Sequence, residues 1–223
     1  MSTPEPVSRR ERPSKPALSR SAIVDAALEV LTRDGAEKLT IRRVAAELDT
    51  GPASLYVYVK NVTVLHALLA DRLLADLDLE WDGAEPWRER LVRLLEEYVD
   101  LLAEQGELAR AVMFVWPDGP FYLDLIDVLV RLLTASGANE QACAWGIDLL
   151  LQHASTSAAE WATRAGENGQ QVEDLEATLE SADPQRHPGL AAFGADAFTT
   201  GSRFERRRWA FEALITGITG VSA

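Results

Sequence analysis

The chain has 223 residues, of which 47% are hydrophobic and 26% charged, which suits a soluble globular protein with one small and one larger core. Charged residues interrupt every apolar run before it reaches the roughly 20 residues that span a bilayer, and no apolar stretch follows the basic residues near the N-terminus. We therefore expect neither a membrane segment nor a secretory signal. The single cysteine, Cys143, excludes an intrachain disulfide framework and is typical of a cytoplasmic protein.

The net charge of −13 is unevenly distributed along the chain. Residues 1–70 hold 10 basic and 8 acidic residues, whereas residues 71–223 hold 12 basic and 27 acidic residues. The excess of negative charge, which would repel a phosphate backbone, thus lies in the second part, while the first third has a small net positive charge. This division is compatible with a nucleic-acid partner for the first part, although chance scatter alone would also produce it.

The first 18 residues carry four prolines and almost no apolar side chains, which predicts a disordered arm. Its basic residues are Arg9, Arg10, Arg12 and Lys15. Such an arm is either a solubilising tail or, ahead of a DNA-binding domain, a segment that lies in a minor groove. The sequence leaves both alternatives open.

Three short helices are predicted next. The first covers residues 19–35 with Ser19 as its cap, the second covers 41–48 with Thr40 as its cap, and the third covers 52–59. A proline opens the third helix, where its missing N–H costs nothing. Two short helices joined by a three-residue turn form a helix-turn-helix.

The remaining patterns are also helical, and no stretch of useful length alternates with period two. Helices are predicted over residues 62–79, 86–105, 107–115, 120–136, 140–164 and 203–219. Residues 166–202 form a long, mobile connection with one helix near 171–181. The predicted fold is all-α, with a disordered arm (1–18), a three-helix domain containing the helix-turn-helix (19–64) and a larger helical domain (65–223).

Residues 39–61 read LTIRRVAAELDTGPASLYVYVKN, and this stretch resembles the tetracycline-repressor (TetR) family of regulators. The shared pattern is a helix, L-T-x-R-x-[VL]-A, a short turn, and x-L-Y-x-[YH]-[VF]-x-[NS]-[KV], within residues 19–80. Two positions depart from it: Asp49 stands where the family usually has glycine, and Val62 replaces a frequent lysine. Asp tolerates left-handed backbone better than most residues, so we expect the turn to survive. The resemblance implies a DNA-binding domain followed by a ligand-binding and dimerising body over residues 81–223.

In a helix-turn-helix the second helix of the motif lies in the major groove and the preceding one crosses the backbone. Residues 52–59 should therefore expose small and polar groups, with Leu55 and Val59 packed inward. Two of the candidates also have a structural explanation that involves no DNA. Tyr56 could be a core residue whose hydroxyl reaches the edge of the core, and Arg43 could be a solvated surface charge. The candidate DNA contacts are Thr40, Arg42, Arg43, Gly51, Ala53, Ser54, Tyr56, Tyr58 and Lys60.

A homodimer follows from the resemblance, because each recognition helix covers only one half-site of a palindromic operator. The helices at 140–164 and 203–219 are the interface candidates. These two helices carry more apolar residues than one exposed face would tolerate: Leu149, Leu150, Trp209, Phe211, Leu214, Ile215 and Ile218. We expect some of them in the core of one subunit and the rest in the dimer interface. The arginines at 206–208 are expected on a solvated face.

A small-molecule effector is also implied, bound in an apolar cavity with a few polar groups. Each candidate wall residue, taken alone, is more often a plain core residue than a ligand contact. The candidates are Leu94, Tyr98, Met113, Trp116, His153, Ser157 and Trp161. The tetracycline repressor itself binds a drug–magnesium complex through histidine and asparagine. Approximate alignment places Asp78, Leu94 and Val112 at those positions, so we expect no metal, no cofactor and a larger, more apolar effector than tetracycline.

Other functions fit the sequence less well. An enzyme on a helical bundle is disfavoured, since His66, His153 and His187 lie far apart and no Glu-x-x-His, HExxH, Cys-x-x-Cys or phosphate-binding loop occurs. An activator or architectural protein of the same fold, and a helical interaction adaptor, remain alternatives. The sequence does not separate repressor from activator, because that depends on where the operator lies relative to the promoter. We predict a repressor.

Overall fold

The computed structural model describes residues 18–106, 108–109, 117–164 and 168–220. All regular structure within these ranges is helical, which confirms the all-α prediction. The predicted arm lies outside the described residues apart from Leu18, which packs against the core. The predicted helix at 107–115 also falls outside them, except for residues 108–109, which are helical.

The described residues form eleven α-helices. In chain order they are α1 (Arg20–Asp34), α2 (Ile41–Glu47), α3 (Pro52–Leu55), α4 (Val62–Leu74), α5 (Trp87–Ala103), α6 (Pro120–Thr134), α7 (Glu140–Arg164), α8 (Asn168–Glu180), α9 (Pro188–Phe193), α10 (Asp196–Thr199) and α11 (Arg203–Gly220).

The helix caps follow the sequence prediction closely. Ser19 Oγ accepts a hydrogen bond from the backbone N–H of Ala22 at 3.1 Å, and Thr40 Oγ1 accepts one from Arg43 N–H at the same distance. Each satisfies an amide that the first helical turn would leave without a partner. Asp49 has a φ of 47°, which confirms the left-handed turn expected between α2 and α3.

Two helices end four or five residues earlier than predicted. α3 stops at Leu55 instead of continuing to Val59, because the chain tightens into a turn that leaves both of these side chains fully buried. α4 stops at Leu74 instead of Leu79. Residues 75–77 then form a turn, and the buried guanidinium of Arg90 on α5 donates to the carbonyl oxygens of Asp78 and Glu80 that follow it.

The connection predicted over residues 166–202 contains more helix than expected. One helix was foreseen near 171–181, and α8 occupies that region, but α9 and α10 follow it. Prolines and glycines interrupt this part of the chain, so its helical periodicity is too short to recognise in the sequence.

The core is continuous from the first four helices into the rest of the molecule. α1 packs on α2 and α4, and α4 also packs on α5 and α6. The long helix α7 lies against α5, α6 and α11. The predicted domain boundary at 64/65 falls inside α4, so this helix belongs to the packing of both units. No helix among the described residues is long and apolar enough to cross a membrane.

Candidate DNA interface and ligand cavities

Two ion pairs connect α2 to the end of α1. Arg43 on α2 binds Asp34 at the end of α1, with an Nη2–Oδ2 distance of 2.7 Å. Arg33 on α1 binds Glu47 on α2, with an Nη2–Oε2 distance of 2.6 Å. Hydrogen bonds from Arg43, and to a smaller extent from Arg33, lower the pKa of Asp34. The hydrogen bond from Arg33 lowers the pKa of Glu47. These links hold α2 in place at the side that leads into the turn and α3.

The candidate DNA contacts lie on α2 and on the segment that contains α3. Eight are exposed, and Arg43 is half-buried because it is held by Asp34; the eight are Thr40, Arg42, Gly51, Ala53, Ser54, Tyr56, Tyr58 and Lys60. Tyr56 is 54% exposed, which removes the alternative of a core position. The two residues expected to pack inward, Leu55 and Val59, are fully buried. The four-residue helix α3 therefore presents only small and polar groups outward from a well-packed base.

Val57 belongs to the outward face that the sequence predicts for residues 52–59, although it is not one of the nine candidate contacts. Val57 is 81% exposed and stands between Tyr56 and Tyr58. A monomer gains nothing by exposing a β-branched apolar side chain, and such groups contact thymine methyls in the major groove. The structure confirms that this side chain faces outward.

A cavity of about 750 Å³, which we call the central cavity, lies where α4, α5, α6 and α7 meet. Its walls are mostly apolar; they are Ala70, Leu74, Tyr98, Leu102, Pro117, Tyr122, Leu123, Ile126, Val130, Ala144, Ile147, Asp148, Leu151, Gln152, Ser155 and Thr156. This volume and this mixture of apolar wall and few polar groups are typical of small-molecule sites.

The polar groups of the central cavity lie on three helices, α5, α6 and α7. Tyr98 on α5 shares a hydrogen bond with Ser155 on α7 at 3.0 Å, and burial raises the Tyr98 pKa to about 12. Gln152 Nε2 donates to Asp148 Oδ2 at 2.6 Å, while Asp148 Oδ1 is buried and has no hydrogen-bond partner among the described residues. Burial, and secondly the charge of Asp148, raises the pKa of Tyr122. The cavity thus offers hydroxyl groups and one acceptor to a bound molecule.

A second cavity of about 530 Å³, which we call the lateral cavity, lies between α7, α11 and the segment containing α8 and α10. Among the described residues, none lines both this cavity and the central one. Its walls are His153, Ser157, Glu160, Trp161, Val172, Leu175, Phe198, Thr199, Gly201, Arg203, Arg206, Arg207 and Ala210.

The residues predicted to form one ligand pocket are divided between these two cavities. Tyr98 lines the central cavity, and His153, Ser157 and Trp161 line the lateral one. Leu94 is fully buried and lines neither. Met113 and Trp116 lie outside the described residues, as does Val112. Residues spaced along one helix, such as Ser155 and Ser157 on α7, face different cavities, which periodicity alone does not reveal.

The expectation that residues 206–208 form a solvated arginine face is wrong for one of them. Arg207 is buried and binds Asp100 on α5, with an Nη1–Oδ1 distance of 2.7 Å. Arg208 is exposed and contacts Glu96, and Arg206 donates to the backbone carbonyls of Phe198 and Thr200. The position of α11 against α5 decides this, because it turns only Arg207 inward.

Large aromatic side chains lie exposed on α7 and α11. Trp145 on α7 is 70% exposed and Trp209 on α11 is 73% exposed, with Leu149 also exposed on α7. The other predicted interface residues lie inward: Leu150, Phe211, Ile215 and Ile218 are buried in the core of this chain and Leu214 is half-buried. No cluster of metal-ligating side chains occurs within the described residues.

Two sequence profiles match the chain. The profile of bacterial regulatory proteins of the tetR family matches residues 23–61, which contain α2 and α3. The profile of the tetracyclin repressor-like C-terminal domain matches residues 81–221, more than half of the chain.

Curated proteins match over a shorter length. The HTH-type transcriptional repressor DrrR1 of Streptomyces coeruleorubidus is 32% identical over 133 residues, which cover 59% of this chain and 49% of that protein. The tetracycline repressor protein class D of Escherichia coli is 32% identical over 123 residues, or 54% of this chain and 56% of that protein. The matches span about half the length of these relatives.

Solved structures match over nearly the whole chain. SCO7704 from Streptomyces coelicolor has a TM-score of 0.80 and is 44% identical, covering 94% of this chain and 98% of that one. Apo ActR from Streptomyces coelicolor has a TM-score of 0.81 and is 28% identical, covering 92% of this chain and 99% of that one. With both profiles matched in order, this chain belongs to the tetR family of bacterial regulatory proteins.

Proposed function

We propose that this chain is a ligand-responsive repressor that binds a palindromic operator as a homodimer and leaves it when a small, largely apolar molecule binds. It acts in the bacterial cytoplasm, where its DNA target lies. The observation that carries the proposal is that α4 joins two features, the exposed α3 surface at one end and the central cavity at the other. Membership of a family of regulators argues against the helical-bundle enzyme.

The α3 surface supports DNA binding through two kinds of contact. Ser54 and Ala53 are short and exposed, so α3 approaches base edges closely enough for its side chains to read sequence. Tyr58 and Lys60 follow at the end of the turn, where a hydroxyl and an ammonium suit phosphates. The positive N-terminus of α2, next to the exposed Arg42, adds a second backbone contact.

Trp145, Leu149 and Trp209 support dimerisation. They lie on α7 and α11, which pack on each other, and a monomer would expose these large apolar groups to water. A two-fold axis that pairs α7 and α11 with the same helices of a second copy buries them. The pairing also presents two α3 helices to the two half-sites of a palindrome.

Release by a ligand requires the ligand to prefer the arrangement that does not fit DNA. Ala70 and Leu74 of α4 line the central cavity, and Asn61 caps the other end of α4 directly after Lys60. A molecule that enters between α4 and α6 therefore displaces the helix that positions α3. ActR, of similar fold, has been solved in complex with actinorhodin and with (S)-DNPA, which supports a ligand-binding role for this body.

The decisive experiment starts from genomic DNA of the host. Purified protein should retain specific fragments that contain an inverted repeat, and the genes beside the repeat suggest compounds to test for release. A promoter–reporter fusion then separates the two regulatory signs, because deletion of the protein raises expression for a repressor and lowers it for an activator. The proposal would be contradicted if the protein retained every genomic fragment no better than random DNA.

The central cavity has its own test. Ile126→Trp fills the space between α6 and α7, so the effector concentration needed for release should rise about tenfold or more while effector-free operator affinity stays unchanged. Val172→Trp in the wall of the lateral cavity is the matched control and should release normally. An unchanged response of folded Ile126→Trp would show that the effector binds elsewhere.

A further inference from the structure

The lateral cavity differs from the central one in charge. Arg203, Arg206 and Arg207 of α11 line it together with His153 of α7. These cations lie in the part of the chain where acidic residues outnumber basic ones by 27 to 12, so their concentration at one cavity is unlike their surroundings. Among the described residues that line the cavity, one carries a carboxylate, Glu160, and this residue is exposed.

Two residues that line this cavity each carry a buried nitrogen atom without a hydrogen-bond partner among the described residues. These atoms are Nε of Arg207 and Nε2 of His153. The Arg207 side chain is only 7% exposed and uses Nη1 to bind Asp100, which leaves its Nε–H unused. Buried donors are nearly always paired in proteins, and an unpaired one costs free energy until something accepts from it.

The cavity also offers a flat apolar surface. The guanidinium carbons of Arg203 and Arg207 lie 4.3 and 5.1 Å from the ring centre of Trp161. Val172 and Leu175 of α8 add an aliphatic wall to this aromatic one. These contacts place two cations over the Trp161 ring, so the cavity combines an apolar surface with positive charge.

We propose that the lateral cavity is a second ligand site, specific for an organic anion with a flat apolar body and a carboxylate or sulfonate group. One acid oxygen accepts from Nε–H of Arg207, and His153 Nε2–H donates to the other. Burial lowers the pKa of His153, while the charge of Glu160 acts in the opposite direction. The ring donates in the tautomer that carries its proton on Nε2. The apolar body lies between Trp161 and the α8 wall.

A matched pair of probes tests this directly. 2-Naphthoate and its neutral analogue 2-naphthamide have nearly the same shape, and calorimetry on the full chain measures the affinity for each. We expect naphthoate to bind at least about tenfold more tightly, because its acid group accepts charge-assisted hydrogen bonds. Arg207→Met should remove this preference. Arg208→Met removes the same charge one residue away from the cavity and should retain it.

Three further variants make the result decisive. Arg207→Met also breaks the bond to Asp100, so if it fails to fold, His153→Phe should weaken naphthoate binding and Ala210→Leu should block both probes. Ile126→Trp fills the central cavity and should change neither affinity. The proposal is overturned if naphthoate binds no better than naphthamide, if folded His153→Phe and Ala210→Leu bind normally, or if Ile126→Trp abolishes binding. The assay contains no DNA, so its outcome is independent of the regulatory function proposed above.

Discussion

The carboxylate of Asp71 on α4 accepts a hydrogen bond from the backbone N–H of Tyr122 in the first turn of α6, with an Oδ1–N distance of 2.8 Å. Asp71 is buried, and burial is the main reason that its pKa is raised, while the bond from Tyr122 acts in the opposite direction. A carboxylate at a helix N-terminus also compensates the helix dipole. This bond joins the helix that leads to the DNA-binding unit to a helix that lines the central cavity.

Replacing Asp71 should therefore affect both stability and ligand response. Asp71→Ala leaves the first amides of α6 buried without an acceptor, and we expect a loss of about 1–3 kcal/mol in the free energy of unfolding. Asp71→Asn keeps an acceptor oxygen and should lose less. Urea unfolding measures both, and effector titration of the operator complex should show weaker release for Asp71→Ala. Equal stability of wild type and Asp71→Ala would contradict this role.

Gly119 is the second part of the same junction. It precedes α6, and a Cβ at this position would overlap the carboxylate of Asp71. Gly119→Ala should thus destabilise the protein by displacing Asp71, measured again by urea unfolding. In an Asp71→Ala background the same substitution should cost less, because the overlapping group is gone. Additive effects in this double-mutant cycle would show that the two residues do not interact.

The contacts of α3 and its turn should separate into two classes. Lys60→Ala should weaken binding to every operator variant and reduce the slope of log affinity against log salt by about one, as loss of a phosphate contact does. Ser54→Ala should instead change the preference among operator variants. Arg186→Ala, an exposed cation between α8 and α9, is the control and should do neither. An unchanged salt slope for Lys60→Ala would remove it from the interface.

Dimerisation should depend on the exposed tryptophans. Light scattering on wild type at micromolar concentration should give about twice the chain mass of 24.5 kDa. Trp209→Glu places a charge in the apolar contact and should give a monomer with much weaker operator binding. Phe193→Glu changes an equally exposed aromatic on α9 and should remain a dimer. A dimeric Trp209→Glu protein would place the interface elsewhere.

The ion pairs between α1 and α2 predict a pH dependence. The pKa of Asp34 is lower in the folded chain than in the unfolded one, so its contribution to stability is present above the unfolded pKa and disappears as the pH falls through the folded value. Asp34→Asn should be less stable than wild type at neutral pH, with a smaller further loss in acid. Asp25→Asn, at an exposed position of the same helix, is the control. Thermal unfolding from pH 7 to 3 measures the effect, and parallel curves for Asp34→Asn and wild type would refute it.

Local chemistry determined much of this protein directly from its sequence. Ser19 and Thr40 cap helices because their hydroxyls accept from amides three residues on, an interaction that needs no distant partner. Leu55 and Val59 are spaced so that a short helix and its turn bury both and expose the residues between them. Such patterns were enough to predict the order of the helices and the helix-turn-helix. They also predicted which residues of α3 and its turn face outward.

The tertiary structure decided what depends on partners far apart in the chain. Asp71 and Tyr122 are 51 positions apart, and Arg207 and Asp100 are 107 positions apart, so neither pairing is visible as a pattern. The single pocket predicted from Tyr98 and His153 became two cavities, because the packing of α5 and α11 on α7 assigns neighbouring faces of one helix to different spaces. Helical periodicity shows which face of a helix is buried, but only packing determines against what it is buried.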